Sequence, residues 1–468
     1  MSKERRAKWP KINIPHVFAI IFAIIIIVSI FTWIIPAGEY QRVTTPAGQT
    51  VAVQGTYHAV QSAPAMIMDV LSAPAKGFKS GGEIIGFLII TGGVFGIINR
   101  TGAINSGILR AVKLFAGKEI VIIPIFMVLF SIGGAVFGMA EETIPFVGIF
   151  VPLCLAMGYD SIVGMAIPLV GAMVGFSSAM LNPFTVGIAQ SFAEIPLFSG
   201  MQYRIVLWVI FTTITIIYIM FYARRIKRNP TLSPTYRHDC ERRLTIVAED
   251  KHHHNMTIGQ KLVLLTLFAA ITAMVIGVTT AAWFIPEIAG IFIAMGIFSG
   301  IFGRLSANEM ANSFLHGAKD LLGACIVVGL ARGILIIAND GKIIDTALYY
   351  LSEPLLKLPL LLSVNGMFLV QHLINFFVPS GTGQAALTIP IMAPLGDILG
   401  ISRQTTVLIY QFGNGFVDML WPTSAPLVGA LGMAKLDWGV WAKWIIPLQV
   451  IYLFVCSIAL CVAVLIGY

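Results

Sequence analysis

A chain of 468 residues that is 57% apolar and charged at only 11% of positions is not a soluble globular protein, which carries roughly 25% charged residues. The formal charge of +8 is not a nucleic-acid footprint, because the basic residues gather between apolar runs, where they act as orientation signals. The composition is that of an all-α polytopic membrane protein, and five scattered cysteines offer neither a disulfide framework nor metal-ligand spacing.

The first apolar run, 12–35, follows a basic flank and is too long for a signal-peptide core, so it is read as a retained helix. Nine spans are expected: 14–35, 82–98, 161–193, 205–222, 260–283, 287–303, 321–338, 403–434 and 445–467. Two of these, 161–193 and 403–434, exceed a straight crossing of about 20 residues, and each contains a proline-bearing stretch that breaks it. Two further regions, 119–157 and 360–399, have polar centres and are read as re-entrant hairpins. With the N-terminus inside, most Lys and Arg, including Arg224, Arg225, Lys227 and Arg228, fall on the inner side. The C-terminus then lies outside.

The chain reads as a repeat. "GFKSGG" at 77–82 matches "GAKDLLG" at 317–323, "ETIPF" at 142–146 matches "LTIPI" at 387–391, and "GFSSAMLNPFT" at 175–185 matches "GFVDMLWPTS" at 415–424. The extra span 287–303 turns the second copy over, which gives two inverted repeats, 1–222 and 259–468, joined by a basic cytoplasmic linker, 223–258. Inverted repeats with broken helices are the architecture of secondary transporters, with the site at the midplane. The linker's His252–His253–His254 run is read as a solvated loop, and no phosphate-binding loop indicates nucleotide hydrolysis.

Irregular backbone inside a membrane survives only where protein or a cavity satisfies it. That points to four places. The first hairpin tip spans 138–143 with Glu141, Glu142 and Thr143, and the second spans 379–384 with Ser380, Gly381, Thr382, Gly383 and Gln384. The first break holds Ser177, Ser178 and Asn182; the second holds Asn414, Asp418, Thr423 and Ser424. A charge at the bilayer centre costs about 2.5–3.5 kcal/mol, so the adjacent glutamates need a reason. They can pair with a cationic group, carry a coupling proton, or cap the second hairpin helix. Asp418 is a cation ligand or the partner of Arg332, the one basic residue deep in an apolar run. No catalytic residue, cofactor or structural metal is expected. A Ser380–His372 pair is the sole loose nucleophile–base candidate, and no hydrolase motif supports it.

The segments "GGAVFGMAEETIPF", "PSGTGQAALTIPIMAPLGD", "QFGNGFVDMLWPTSAPL" and "WIIPAGEY" resemble the YfcC-type branch of the C4-dicarboxylate anaerobic carrier family, within the ion transporter superfamily. The resemblance covers essentially the whole chain. It implies a homodimer, an elevator movement, and basic amino-acid exchange of the arginine/ornithine type; the charge pattern fits a bacterial inner membrane. Three acids against one arginine at the tips and breaks favour a cationic amino acid over a dicarboxylate. The alternatives are a carrier of C4-dicarboxylates coupled to Na⁺ or H⁺, and a cation/proton antiporter.

Overall fold

The computed structural model describes residues 17–44, 50–53, 55–104, 106–107, 110, 117–250, 256–281, 283 and 285–468. The His252–His254 run lies outside the described residues. The described chain is almost wholly helical. Seven of its helices are long and apolar enough to cross a membrane, and their large apolar side chains face outward as freely as inward, as lipid contact allows.

The first part contains α1 (Val17–Ile34), α2 (Ile67–Ser80), α3 (Gly82–Arg100), α4 (Ile122–Phe137), α5 (Ile144–Ala156), α6 (Ser161–Ser177), α7 (Ile188–Phe192) and α8 (Met201–Arg228). After α9 (Tyr236–Asp250) come α10 (Ile258–Ala281), α11 (Ile285–Phe302), α12 (Ala307–Asp320), α13 (Leu322–Asp340) and α14 (Ile344–Ser352). The last part contains α15 (Leu360–Phe377), α16 (Gly381–Leu399), α17 (Arg403–Gly415), α18 (Ala425–Ala434) and α19 (Trp438–Leu465). Four short strands between α1 and α2 pair as 38–39 with 58–59 and 42–44 with 50–52. They tie down on α14, where Asp345 accepts from Tyr40 N and pairs with Arg42.

Two helices, α2 and α12, occupy stretches that lack the apolar length of a span. Both are amphipathic, and Ser306 and Glu309 form a reciprocal capping box at the start of α12. Each packs on a span of the other half: α2 on α13, and α12 on α3. The contacts are backbone to backbone. A Cβ on Gly77 would lie 2.0 Å from Gly329 O, and one on Gly317 would lie 2.1 Å from Gly92 O. Small residues four apart, Gly92/Gly96 and Gly329/Gly333, make this approach possible. The reciprocity places the "GFKSGG" and "GAKDLLG" segments in equivalent surroundings.

A third glycine seam joins α4 to α6, where Cβ atoms on Gly134 and Gly175 would lie 2.0 and 1.9 Å from Ala172 O and Ser131 O. The linker is not an open loop over 236–250. It forms α9, which packs on α5 and bonds to the starts and ends of neighbouring helices. The polar residues Ser233, Thr235 and Asp239 are buried there, a burial that hydropathy does not signal.

Candidate functional site

The two regions read as hairpins are each a pair of helices joined by a short irregular tip. In the first, Gly138 ends α4 in the left-handed region at φ 71°, which glycine adopts without steric cost. A short 3₁₀ turn, Glu141–Thr143, then leads into α5. The two glutamates divide their tasks. Glu142 Oε2 accepts from Ala140 N at 2.9 Å, so this carboxylate folds back to hold the tip. Thr143 Oγ1 donates to Ala140 O, which closes the turn from the other side. Glu141, the adjacent carboxylate of the same turn, is not the one that bonds Ala140 N.

The second tip is shorter than the 379–384 expected. Ser380 is the N-cap of α16, accepting from Gly383 N, so Gly381, Thr382, Gly383 and Gln384 already belong to the first helical turn. The start of α16 lies against Thr185 and Asn414 of the two breaks.

The breaks sit where proline and asparagine interrupt the ladders. After α6, Asn182 Oδ1 caps Phe184 N and Thr185 N at 2.9 and 3.3 Å, opening a five-residue π turn from Pro183. Ser177 and Ser178 give their hydroxyl protons to Met173 O and Val174 O one turn back. After α17, a 3₁₀ turn, Phe416–Met419, carries Asp418, and Ser424 precedes α18. The freed carbonyls of this break are satisfied from α19. Trp441 Nε1 donates to Met419 O at 2.8 Å, Trp438 Nε1 to Leu420 O at 2.9 Å, and Gln449 Nε2 to Phe416 O at 3.0 Å.

These four elements converge. Met180 N and Leu181 N of the first break bond to Ala135 O of α4, and a Cβ on Gly138 would lie 2.7 Å from Asn182 Oδ1. Thr382 Oγ1 donates to Phe184 O at 3.0 Å, so the second tip rests on the first break. A Cβ on Gly381 would be 2.6 Å from Thr185 Cγ2 and 3.6 Å from Asn414 Oδ1. The breaks also meet each other: a Cβ on Gly415 would lie 2.5 Å from Ser177 Oγ. Finally, α18 packs on α5 and on the 141–143 turn.

Four carboxamides tie the second tip to the second break. Gln384 Oε1 accepts from Asn414 Nδ2 and Asn375 Nδ2 at 3.0 and 3.2 Å, and Gln384 Nε2 donates to Gln371 Oε1 at 2.8 Å. All four residues are fully buried. Gln371 and Asn375 lie on α15 and were not among the expected site residues; their spacing of four on one helical face, "QHLIN", was the available signal.

Buried polar atoms without partners around this network include the oxygens Thr185 Oγ1, Asn375 Oδ1, Asn414 Oδ1, Asp418 Oδ1, Thr423 Oγ1 and Ser424 Oγ and the donors Asn182 Nδ2, Gln371 Nε2 and Trp421 Nε1. An unpaired buried polar group costs about 1–3 kcal/mol, so this centre offers both oxygens and N–H donors to a polar ligand. Arg332 is half-buried on α13, and its stem passes Gly81 at the joint of α2 and α3. No ion pair within 4.0 Å joins it to Asp418 among the described residues, and Asp418 is buried in the second break. His372 stacks edge-on to Phe368, and Ser380 Oγ is engaged by Gly383 N, so the pair forms no nucleophile–base hydrogen bond.

The model of the family described as C4-dicarboxylate anaerobic carrier matches residues 14–465. The chain belongs to this family. The carrier is 38% identical over 97% of both chains to a protein of Escherichia coli (strain K12) named "Putative basic amino acid antiporter YfcC". It is 31% identical, again over 97% of both chains, to an uncharacterized protein of Haemophilus influenzae. Solved structures similar to the carrier include the Alcanivorax borkumensis YdaH transporter, at 15% identity over 97% of this chain and 99% of that one, with a TM-score of 0.43. Another is Neisseria gonorrhoeae MtrF, at 16% identity over 96% and 95%, with a TM-score of 0.42. The family and the curated relative together make the carrier a multi-pass membrane transporter of small molecules.

Proposed function

We propose that this transporter exchanges cationic amino acids of the arginine/ornithine type across a bacterial inner membrane. The observation that carries the reading is the placement of Glu141 and Asp418. Both acids stand at the convergence of the tips and breaks, and neither is engaged by a basic side chain within 4.0 Å among the described residues. In this reading the distal cation of the substrate lies between them, a guanidinium having the geometry to bond carboxylates in pairs. The amides at the start of α16 take the α-carboxylate. Arg332 stays outside the contact.

The halves act as inverted repeats, with 119–157 and 360–399 as re-entrant hairpins, and the hairpins with the broken helices form one moving body. Exchange follows if the empty body carries uncompensated carboxylates across the bilayer, at a cost of several kcal/mol. A bound cation lowers that cost in both directions. A homodimer and a coupling ion, Na⁺ or H⁺, belong to the same proposal; the unpartnered Thr185, Asn414 and Asp418 oxygens supply the chemistry for such an ion.

A second reading, transport of C4-dicarboxylates, is favoured by the family description and by Arg332 as the basic residue within α13. Proteoliposomes preloaded with ornithine, arginine, malate or buffer separate the two. Uptake of labelled arginine that needs internal ornithine or arginine supports exchange. Entry of labelled malate with no arginine uptake overturns it.

A further inference from the structure

The linker helix α9 offers an acid and a base three residues apart, and each meets a helix end of the opposite partial charge. Asp239 is 1% exposed. Its Oδ2 accepts from Ser161 N, the first amide of α6, at 3.0 Å, and from Thr235 Oγ1 at 2.6 Å; its other oxygen accepts from Ser161 Oγ. Arg242 Nη1 donates to Ala434 O, the last carbonyl of α18, at 2.8 Å, and to Ser161 Oγ at 3.2 Å. An anion at a helix start and a cation at a helix end are both favoured by the backbone dipoles, and positions i and i+3 share one helix face. One hydroxyl, Ser161 Oγ, joins the two charges.

We propose that Asp239 and Arg242 are positioning residues that clamp the first broken helix to the second, so that the linker travels with the body that carries the site. This rests on the moving body of the preceding section. Neither residue touches the tips or breaks. The second anchor of the region is independent: Asp160 caps Val163 N at 2.9 Å and accepts from Tyr222 OH and Ser233 Oγ at 2.6 and 2.7 Å. It holds the same end of α6 to α8, which α9 follows in the chain.

The test uses the full chain in liposomes. Asp239→Asn and Arg242→Gln should lower the maximal exchange rate at least tenfold while KM and equilibrium substrate binding stay within twofold of wild type, and Arg242→Lys should recover part of the rate. Wild-type rates in Asp239→Asn and Arg242→Gln would overturn the proposal, as would a parallel loss of binding. A second measurement stands free of any substrate assignment. Spin labels at Arg237→Cys and Asp437→Cys should keep one distance in all conditions, whereas labels at Arg237→Cys and Asn308→Cys should show two populations. A first distance that shifts overturns the clamp. A fixed first distance with an equally fixed second one supports the clamp and counts against the moving body instead.

Discussion

The α4–α6 seam makes the sharpest prediction about how the site is held. Gly175 stands two residues before Ser177, and a methyl there would meet Ser131 O at 1.9 Å and Ser131 C at 2.6 Å. Ordinary contact begins at 3.4 Å, so Gly175→Ala must part the helices by about 1.5 Å, and backbone cannot rotate away as a side chain can. The move would pull Ala135 O from Met180 N and Leu181 N, bonds of 3.2 and 3.1 Å that fix the first break. Overpacking of this kind costs about 3 kcal/mol, near 150-fold in the folded fraction, and the site loses its register with it. Gly171→Ala on the same face is the control, since its nearest atom is 3.3 Å away at Met127 Cα. Its expected cost is below about 1 kcal/mol. Thermal unfolding in detergent, followed by substrate-induced stabilisation, checks both. A Gly175→Ala protein with wild-type unfolding and binding would refute the reasoning.

Other outcomes follow from the same geometry. Glu141→Gln should weaken binding of a cationic amino acid by about 10- to 150-fold, the worth of a hydrogen bond to a charged group of about 1.5–3 kcal/mol, while Glu142→Gln should lower stability first, because its carboxylate holds the tip; equal effects on affinity, read by calorimetry, would reject that division. Gln384→Met leaves Asn414 Nδ2 without its acceptor, while Asn375 Nδ2 keeps Asn414 O, and should destabilise the carrier by about 1–3 kcal/mol, seen as a lower unfolding temperature. Trp441→Phe removes the donor to Met419 O and should cost about 1–3 kcal/mol with a larger loss of transport rate than Trp438→Phe, whose indole is less buried. Gly138→Ala must adopt a left-handed conformation at about 1–2 kcal/mol and strike Asn182, so transport should fall even where the protein still inserts.

Much of this architecture could be read from residue order because a bilayer permits few solutions. Twenty apolar residues can only be a helix there, so polar or proline-bearing centres such as "GMAEET", "SSAMLNPF" and "NGFVDMLWPTS" had to be tips and breaks, and the structure has irregular backbone at each. What hydropathy missed was anything stabilised by distant partners. The α2 and α12 helices are too polar to span and are held by Gly77, Gly317 and the glycines opposite them, contacts that join residues some 225–255 positions apart and leave no local periodicity. The 223–258 segment reads only as a basic cytoplasmic linker because its charges are ordinary in composition; burial beside two helix ends makes Asp239 and Arg242 structural. The second tip was drawn too long, since Ser380 captures Gly383 N and starts α16 early. Nor could sequence distinguish Glu141 from Glu142. They are chemically identical neighbours, and only the fold decides that the Glu142 carboxylate is the one that turns back to Ala140 N. Composition and pattern determined a membrane carrier with four irregular elements. Tertiary structure determined which of their polar atoms pair with one another and which remain for a ligand, because that depends on distances between segments that the linear chain does not encode.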